Sequence, residues 1–300
     1  MSIPCEVSPF SESRAVACAK SQQTLARVVS ASGIGLFTGE KATVRLCPAE
    51  SGSGIIFQRS DLSHKPLLPA RLDFVQQTPR CTILGQNGIS IQTVEHILAA
   101  LRACEIDNAL IEVSGPEIPI FDGSAAHFVE MIEKGGIAVL DGVKHCLKIT
   151  APIFWTRGDV HIVALPSEEY RISYTLHYPH SKFIGTQFYS FQVTSEGFKK
   201  EIAPCRTFSL YEEIAPMIDK GLIKGGSLEN AVIIKDGVIV NPEGVRFSEE
   251  MVRHKILDMI GDLSLVGMSF SAHIIAIRSG HASNTAFARE LFNHFKMENS

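Results

Sequence analysis

Two hydrophobic periods alternate along this chain and divide it into strands and helices. From Thr24, ARVVSASGIGLFTGEKATVRLCPA sets two extended runs around a glycine-rich bend, with Thr43, Val44, Arg45 and Leu46 typical of a strand. IQTVEHILAALRAC has the helical period, and Val94, Ile97, Leu98 and Leu101 form its apolar face. NALIEV, residues 108–113, reads as a short buried strand. Asp122, Gly123 and Ser124 then make a turn, with Ser124 placed to cap a helix over AAHFVEMIEKGG. CLKITAPIFW, DVHIVALP and YRISYTLHYP read as a meander of strands, and NAVIIKDGVIVN as a hairpin around Lys-Asp-Gly. VRHKILDMIGD is the second strong helix, with Val252, Ile256, Met259, Ile260 and Leu263 in one stripe at ~100° per residue. Ser248 is its expected cap, with Glu249 and Glu250 in the first turn. HIIAIRSGHAS gives a last strand, ending at Gly280 and His281.

A faint echo links the two halves. Each of the two strong helices carries a histidine two residues after a valine, His96 after Val94 and His254 after Val252. Each is followed by an apolar strand ending in Ser-Gly, ALIEVSG and IIAIRSG. The three-letter match is at the level of chance, but the shared order is what a duplicated α/β unit would leave. The expected organisation is a loose Ser- and Ala-rich extension over residues 1–22, a first domain over 23–141 and a second over 142–300. The break between them is expected near Leu140-Asp-Gly-Val143.

Composition narrows the class. With 300 residues, 45% hydrophobic and 20% charged, the chain has enough apolar material for a core. Its net charge of −4 and lack of a long basic run give no electrostatic support to a nucleic-acid partner. The seven cysteines (Cys5, Cys18, Cys47, Cys81, Cys104, Cys146 and Cys205) are odd in number and form no CxxC. That argues against a disulfide framework or a structural zinc knuckle, and for a reducing, cytoplasmic compartment. The first twenty residues lack the pattern of a signal peptide, and no apolar run approaches the ~20 residues of a membrane span. A monomer is expected, since nothing in the sequence demands a multimer.

Candidate chemistry sits on the two helices. His254, Asp258 and Asp262 fall one turn apart on the side opposite the apolar stripe, with Lys255 beside them. The row is either a solvated face, as on many exposed helices, or the wall of a metal site, because i,i+4 spacing lets an imidazole and a carboxylate reach one ion. His96 lies away from its own apolar stripe, near Ala99, Ala100 and Ala103, where small side chains would admit a second element. Should His96 join His254 and Asp258, the three would make a His₂Asp set with an open fourth position, as in catalytic zinc sites. Glu95 could then act on a metal-bound water without occupying the coordination shell. His281, after Ser279 and Gly280, is either a loop histidine or a functional group at a strand end. Arg206-Thr207-Phe208 and Gly225-Gly226-Ser227 read as a strand–helix junction and a turn, and without a following lysine the latter is no P-loop. Pro116-Glu-Ile-Pro119 reads as structural, held extended by its prolines. Taken alone, these residues describe an α/β protein that could be a metal hydrolase.

The segments TVEHILAAL, SGPEIPIFDGSAAHFV, RTFSL, KGGSLENAVII, VRHKILDMIGDL and RSGHASN occur together and in family order. From about Gln23 to near its end, the chain resembles the bacterial UDP-3-O-acyl-N-acetylglucosamine deacetylases, the zinc amidases of lipid A biosynthesis. The resemblance implies an α+β fold of two similar two-layer sandwiches, each a β-sheet with helices, and an active site between them. It implies a Zn²⁺ cofactor held by His96, His254 and Asp258, with Glu95 as general base. His281 would be general acid or charge stabiliser, oriented by Asp262, and Lys255 and Thr207 would line the reacting centre. Phe208, Tyr211, Ile214, Ile223, Gly226, Ser227, Ala231 and Ile233 fall where the family builds an apolar passage for an acyl chain. The implied substrate is a small molecule, a UDP-linked acylated amino sugar, which would lose acetate. Whether His281 or Glu95 protonates the leaving amine stays open. Phe37 stands where the family commonly has histidine, and Cys81, near a position where some members place a metal-proximal cysteine, is taken as a bystander. Two rivals are a zinc amidase for another N-acyl sugar and a non-catalytic α/β module that binds RNA or protein through a basic face.

Overall fold

The computed structural model describes residues 16–298, positions 77 and 79 excepted. The first half holds β1 (Val16–Leu25), β2 (Val29–Ile34), β3 (Lys41–Cys47), β4 (Ile55–Arg59), β5 (Leu67–Pro69), β6 (Ile83–Gln86), β7 (Ile89–Gln92), α1 (Glu95–Ala103), β8 (Ala109–Val113) and α2 (Ala126–Gly135). The second holds β9 (Ile137–Lys148), β10 (Ile153–Arg157), β11 (Val160–Leu165), β12 (Tyr170–Tyr178), β13 (Gly185–Gln192) and the single turn α3 (Ser195–Gly197). It continues through β14 (Phe208–Leu210), α4 (Tyr211–Asp219), β15 (Val232–Lys235), β16 (Val238–Ile239), α5 (Glu250–Ser264), β17 (Ser269–Ile277) and α6 (His281–Glu298).

The two halves repeat one topology. The first sheet has the order β2-β3-β8-β4-β5, and the second contains β10-β11-β17-β12-β13. In each, the last strand enters the middle, antiparallel to the second strand (β3, β11) and parallel to the third (β4, β12). In each, a helix precedes that central strand and another follows it. Each also carries an insertion between the fourth strand and the first helix: the β6–β7 hairpin in one half, β14-β15-β16 with α4 in the other. The faint echo of histidine, helix and Ser-Gly strand is thus the residue of a duplication, and the fold is α+β with two sandwiches.

Alternation buries one face of the first sheet, where Val44, Leu46, Phe57, Ile111 and Val113 are fully covered. The core that begins there is continuous with that of the second half, through Ile162, Ile172 and Ile274. Between the sheets lie α1 and α5, both covered on nearly all sides. Ala99, Ala100 and Ala103 of α1 are buried, so the small face does receive a second element. That element is α5: a Cβ added at Gly261 would stand 2.1 Å from the carbonyl oxygen of Glu95, so only glycine permits this approach. The row His254, Asp258 and Asp262 is accordingly not solvated, each residue being 2% exposed or less.

Several expectations change. Of the three strands read as a meander, β10 and β11 are antiparallel neighbours, but β17 separates β11 from β12. Periodicity identifies a strand but carries no information about its partner. Residues 16–22, expected in a loose extension, belong to β1, which pairs antiparallel with β9 (Gln23 with Val139, Leu25 with Ile137). Much of β9 alternates only between exposed and half-buried, so the ribbon has little apolar periodicity to read. The expected break at 140–143 lies inside β9, which continues to pair with β17 through Cys146 and Ser269. Gly142 there serves a close approach instead of a turn, since a Cβ would fall 1.8 Å from Ser51 Oγ.

Smaller differences concern helix ends. The first strong helix starts at Glu95 rather than Ile91, because Ile91 and Gln92 belong to β7. Ser124 accepts the amide of Ala126 through its hydroxyl, while the cap position of α5 falls on Glu249 rather than Ser248, and Glu250 receives Arg206 and Arg246. The hairpin at Lys-Asp-Gly is present, with positive φ at both Asp236 and Gly237 as a type I′ turn requires. Among the described residues, no helix is long and apolar enough to cross a membrane.

Candidate active site

The chain leaves β7 through Thr93, whose φ of 62° is costly for a β-branched residue and turns the backbone abruptly into α1. Glu95 and His96 are therefore the first two residues of that helix, both buried and facing α5. From α5, His254 and Asp258 come up one turn apart. Ligand atoms of His96, His254 and Asp258 all lie within 4.8 Å of one another. Asp258 Oδ1 is 3.3 Å from His254 Nε2 and 3.7 Å from His96 Nε2, and the two rings meet edge to face at 5.0 Å.

Hydrogen bonding around these groups matters for what they can hold. His254 Nδ1 lies 3.0 Å from the carbonyl of Cys205, and donating there leaves Nε2 as a lone pair aimed at Asp258. Burial drives the His254 imidazole down to about 4, against the pull of Asp258, so it is neutral near pH 7. Asp258 Oδ2 accepts Lys255 Nζ at 2.6 Å, but Oδ1 has no hydrogen-bond partner among the described residues. Although burial opposes it, the His254 ring in its protonated form, at acid pH, together with Lys255 and His281 holds the Asp258 carboxyl well below the usual carboxylate range. An orphaned, ionised and buried oxygen facing imidazole nitrogens is expensive unless a cation satisfies it. These three residues fit a divalent metal ion with a position left open.

A second cluster faces the first. Glu95 Oε2 accepts the amide of Thr82 at 2.9 Å, leaving Oε1 turned toward His281 Nε2, 4.0 Å away. Burial raises the Glu95 carboxyl, with His281 and His96 pulling it back. His281 Nδ1 is 3.0 Å from Asp262 Oδ2, which also accepts Asn284 Nδ2 at 2.9 Å, and Thr82 Oγ1 donates to the other Asp262 oxygen at 2.5 Å. For His281, burial works against the charged form, yet Asp262 and Asp258 outweigh it and lift the imidazole to about 9. His281 is thus not a loop histidine; it opens α6 and is protonated at neutral pH.

Both clusters open on a cavity of about 1200 Å³. Thr207 lines it beside the metal-site residues, fixed by donating its amide to Gly123 (2.8 Å) and accepting that of Val232 (2.8 Å). Lys255 lines it with its ammonium 5.6 Å from the centre of the Phe208 ring. Phe208, Tyr211, Ile214 and Ile223 also line the cavity, as do Gly226, Ser227, Ala231 and Ile233. Asp262 is the one candidate residue that stands behind the wall.

A family model for UDP-3-O-acyl N-acetylglycosamine deacetylase matches residues 22–293. The chain belongs to this deacetylase family. Among similar curated proteins, the UDP-3-O-acyl-N-acetylglucosamine deacetylase of Chlamydia pneumoniae is 47% identical over 279 residues, covering 93% of this chain and 99% of its own. That of Chlamydia felis is 48% identical over 277 residues (92% and 99%), and that of Chlamydia caviae 48% over 272 residues (91% and 97%).

Where the chain departs from the family pattern, Phe37 lines the cavity as an apolar wall and offers no polar side-chain group. Cys81 is buried behind Thr82 with its thiol pushed up by burial, and it does not line the cavity. Sequence reasoning did not find Thr82, whose amide and hydroxyl join Glu95 to Asp262, because a lone threonine beside a cysteine has no signal. It also missed Arg80, Arg157, His177, His180, Lys235 and Arg278 around the cavity, single polar residues near strand ends that only the fold assembles.

Proposed function

We propose that this chain is a zinc-dependent deacetylase that hydrolyses the N-acetyl amide of UDP-3-O-acyl-N-acetylglucosamine, giving acetate and UDP-3-O-acyl-glucosamine for lipid A. The convergence of His96, His254 and Asp258 beside Glu95, on the wall of the cavity, carries this reading. A zinc ion held by those three groups would polarise the acetamide carbonyl and acidify a water.

Glu95 receives the proton of the attacking water on Oε1, while the Thr82 amide keeps Oε2 in place. The Thr207 hydroxyl donates to the developing oxyanion. His281 is charged at neutral pH and stands across from Glu95, so it stabilises the tetrahedral charge and then passes its Nε2 proton to the departing amine. Asp262 keeps that ring in place, and Lys255 steadies Asp258. The apolar arm from Phe208 to Ile233 takes the 3-O-acyl chain, and Arg80, Arg157, Lys235 and Arg278 suit the anionic diphosphate. The two repeats, on either side of β9, each supply one of the helices that complete the site within one chain, so a monomer in the cytoplasm suffices.

Metal analysis of the purified protein, together with acetate release from the UDP-linked substrate, tests this reading. One equivalent of zinc and release abolished by a chelator are expected. Release that ignores chelation, or none at all from fully metallated protein, would overturn it.

A further inference from the structure

Glu117 lies in the Pro116–Pro119 segment, outside the reacting centre, yet it is 1% exposed and gathers five donors among the described residues, none of them charged. Oε1 accepts the amide of Phe37 (2.9 Å) and the hydroxyl of Thr93 (3.1 Å). Oε2 accepts the amide of Thr38 (2.8 Å), its hydroxyl (2.7 Å) and Gln92 Nε2 (3.3 Å). Burying a carboxylate is costly unless its lone pairs are met, so this one is held by its donors and holds them in turn.

Two of those donors belong to a loop that reaches into the other half. The carbonyls of Leu36 and Phe37 accept the amides of Gly225 (3.0 Å) and Lys224 (3.1 Å). The strands of backbone touch: a Cβ at Gly225 would lie 2.0 Å from the Gly35 oxygen, and one at Gly35 would lie 2.2 Å from Glu117 Oε2. Leu36 and Phe37 then form cavity wall together with Ile223 and Gly226. The apolar arm is therefore built from both halves, and its first-half wall is suspended from one carboxylate.

We infer that Glu117 is a positioning residue for acyl-chain selection: it latches the Leu36–Thr38 loop, and through it the Ile223–Gly226 wall, so that the passage keeps the width a long chain requires. This rests on the reading that the arm takes an acyl chain.

The isosteric change Glu117→Gln tests the latch. A carboxamide must turn its NH₂ toward either the Phe37 or the Thr38 amide, so one loop bond becomes a donor–donor clash whichever way it flips. Thr38→Val, a smaller lesion, removes only the hydroxyl arm. The measurement is kcat/KM for substrates with and without the 3-O-acyl chain, alongside bound zinc. For Glu117→Gln the ratio between the two substrates should fall about tenfold, mainly through KM for the acylated one. Thr38→Val should move it the same way by about threefold, and zinc content should hold in both. A uniform loss on both substrates, or no change in the ratio in Thr38→Val should Glu117→Gln fail to fold, would overturn the inference. Failure of the wild type to act on either substrate would instead overturn the functional reading on which it rests.

Discussion

Gly261 on α5 touches the backbone of Glu95 on α1, with room for no Cβ between them. This one contact sets the spacing of the helices that carry His96 and Glu95 on one side and His254 and Asp258 on the other. Gly261→Ala would push a methyl into a carbonyl oxygen at 2.1 Å, and neither helix, each covered on nearly all sides, has room to retreat. Overpacking of this kind costs about 1–3 kcal/mol. The variant should unfold at lower denaturant and bind zinc more weakly. Unchanged stability together with unchanged zinc affinity would show that the helices slide apart freely.

His254→Ala and Asp258→Asn should each strip the metal, as measured by zinc per protein after dialysis against a weak chelator. Asp258→Asn is the sharper of the two, because it keeps size and removes the ionised oxygen that has no hydrogen-bond partner among the described residues. Stoichiometric, tightly held zinc in either variant would mean the ligand set is wrong.

Glu95→Gln separates base from ligand. Glu95 offers no atom to the His96, His254 and Asp258 set, so the variant should retain its zinc. Turnover should drop about 10²–10⁴-fold, the usual worth of general-base help. Normal turnover would remove Glu95 from the proton path.

How much of this could be read in the chain follows from what periodicity measures. It gave α1 and α5, because a 3.6-residue stripe marks a helix whatever its surroundings. It could not decide whether His254, Asp258 and Asp262 faced water, since that argument presumes a helix has a wet side and α5 has almost none. The signals that could have decided were packing signals: the alanines of α1 and Gly261, residues small enough to let two helices meet. Strands lacking a buried face, such as much of β9, leave little alternation, and the insertion of β17 between β11 and β12 leaves none at all. Backbone donors are silent as well. The Thr82 amide on Glu95 and the amides that hang the Phe37 loop on Glu117 are carried by every residue type but proline.

Substituting Ala231, which lines the cavity, with Phe should shorten the proposed acyl passage. Acetate release from long-chain substrates should fall by more than that from short-chain ones, since the added ring meets only a chain that reaches it. Equal losses across chain lengths would place Ala231 outside the passage.

The pH profile tests His281, whose pKa rises from 6.5 to about 9. Because the raised value belongs to the folded state, the stability it contributes is complete below pH 6.5 and is lost as pH climbs through 9. Turnover that needs His281 protonated should likewise hold through neutrality and decline near pH 9. Glu95, which must be ionised to act, has a raised carboxyl, so the acid limb should sit above pH 4.5. Burial alone would lower His281, and the Asp262 carboxylate does most to reverse it. Asp262→Asn should therefore draw the alkaline limb down from pH 9, although Asp258 still favours the charged ring, and His281→Ala should abolish that limb along with most of the rate. An alkaline limb that stays near pH 9 in Asp262→Asn would assign it to another group, and with it the proton that leaves with the amine.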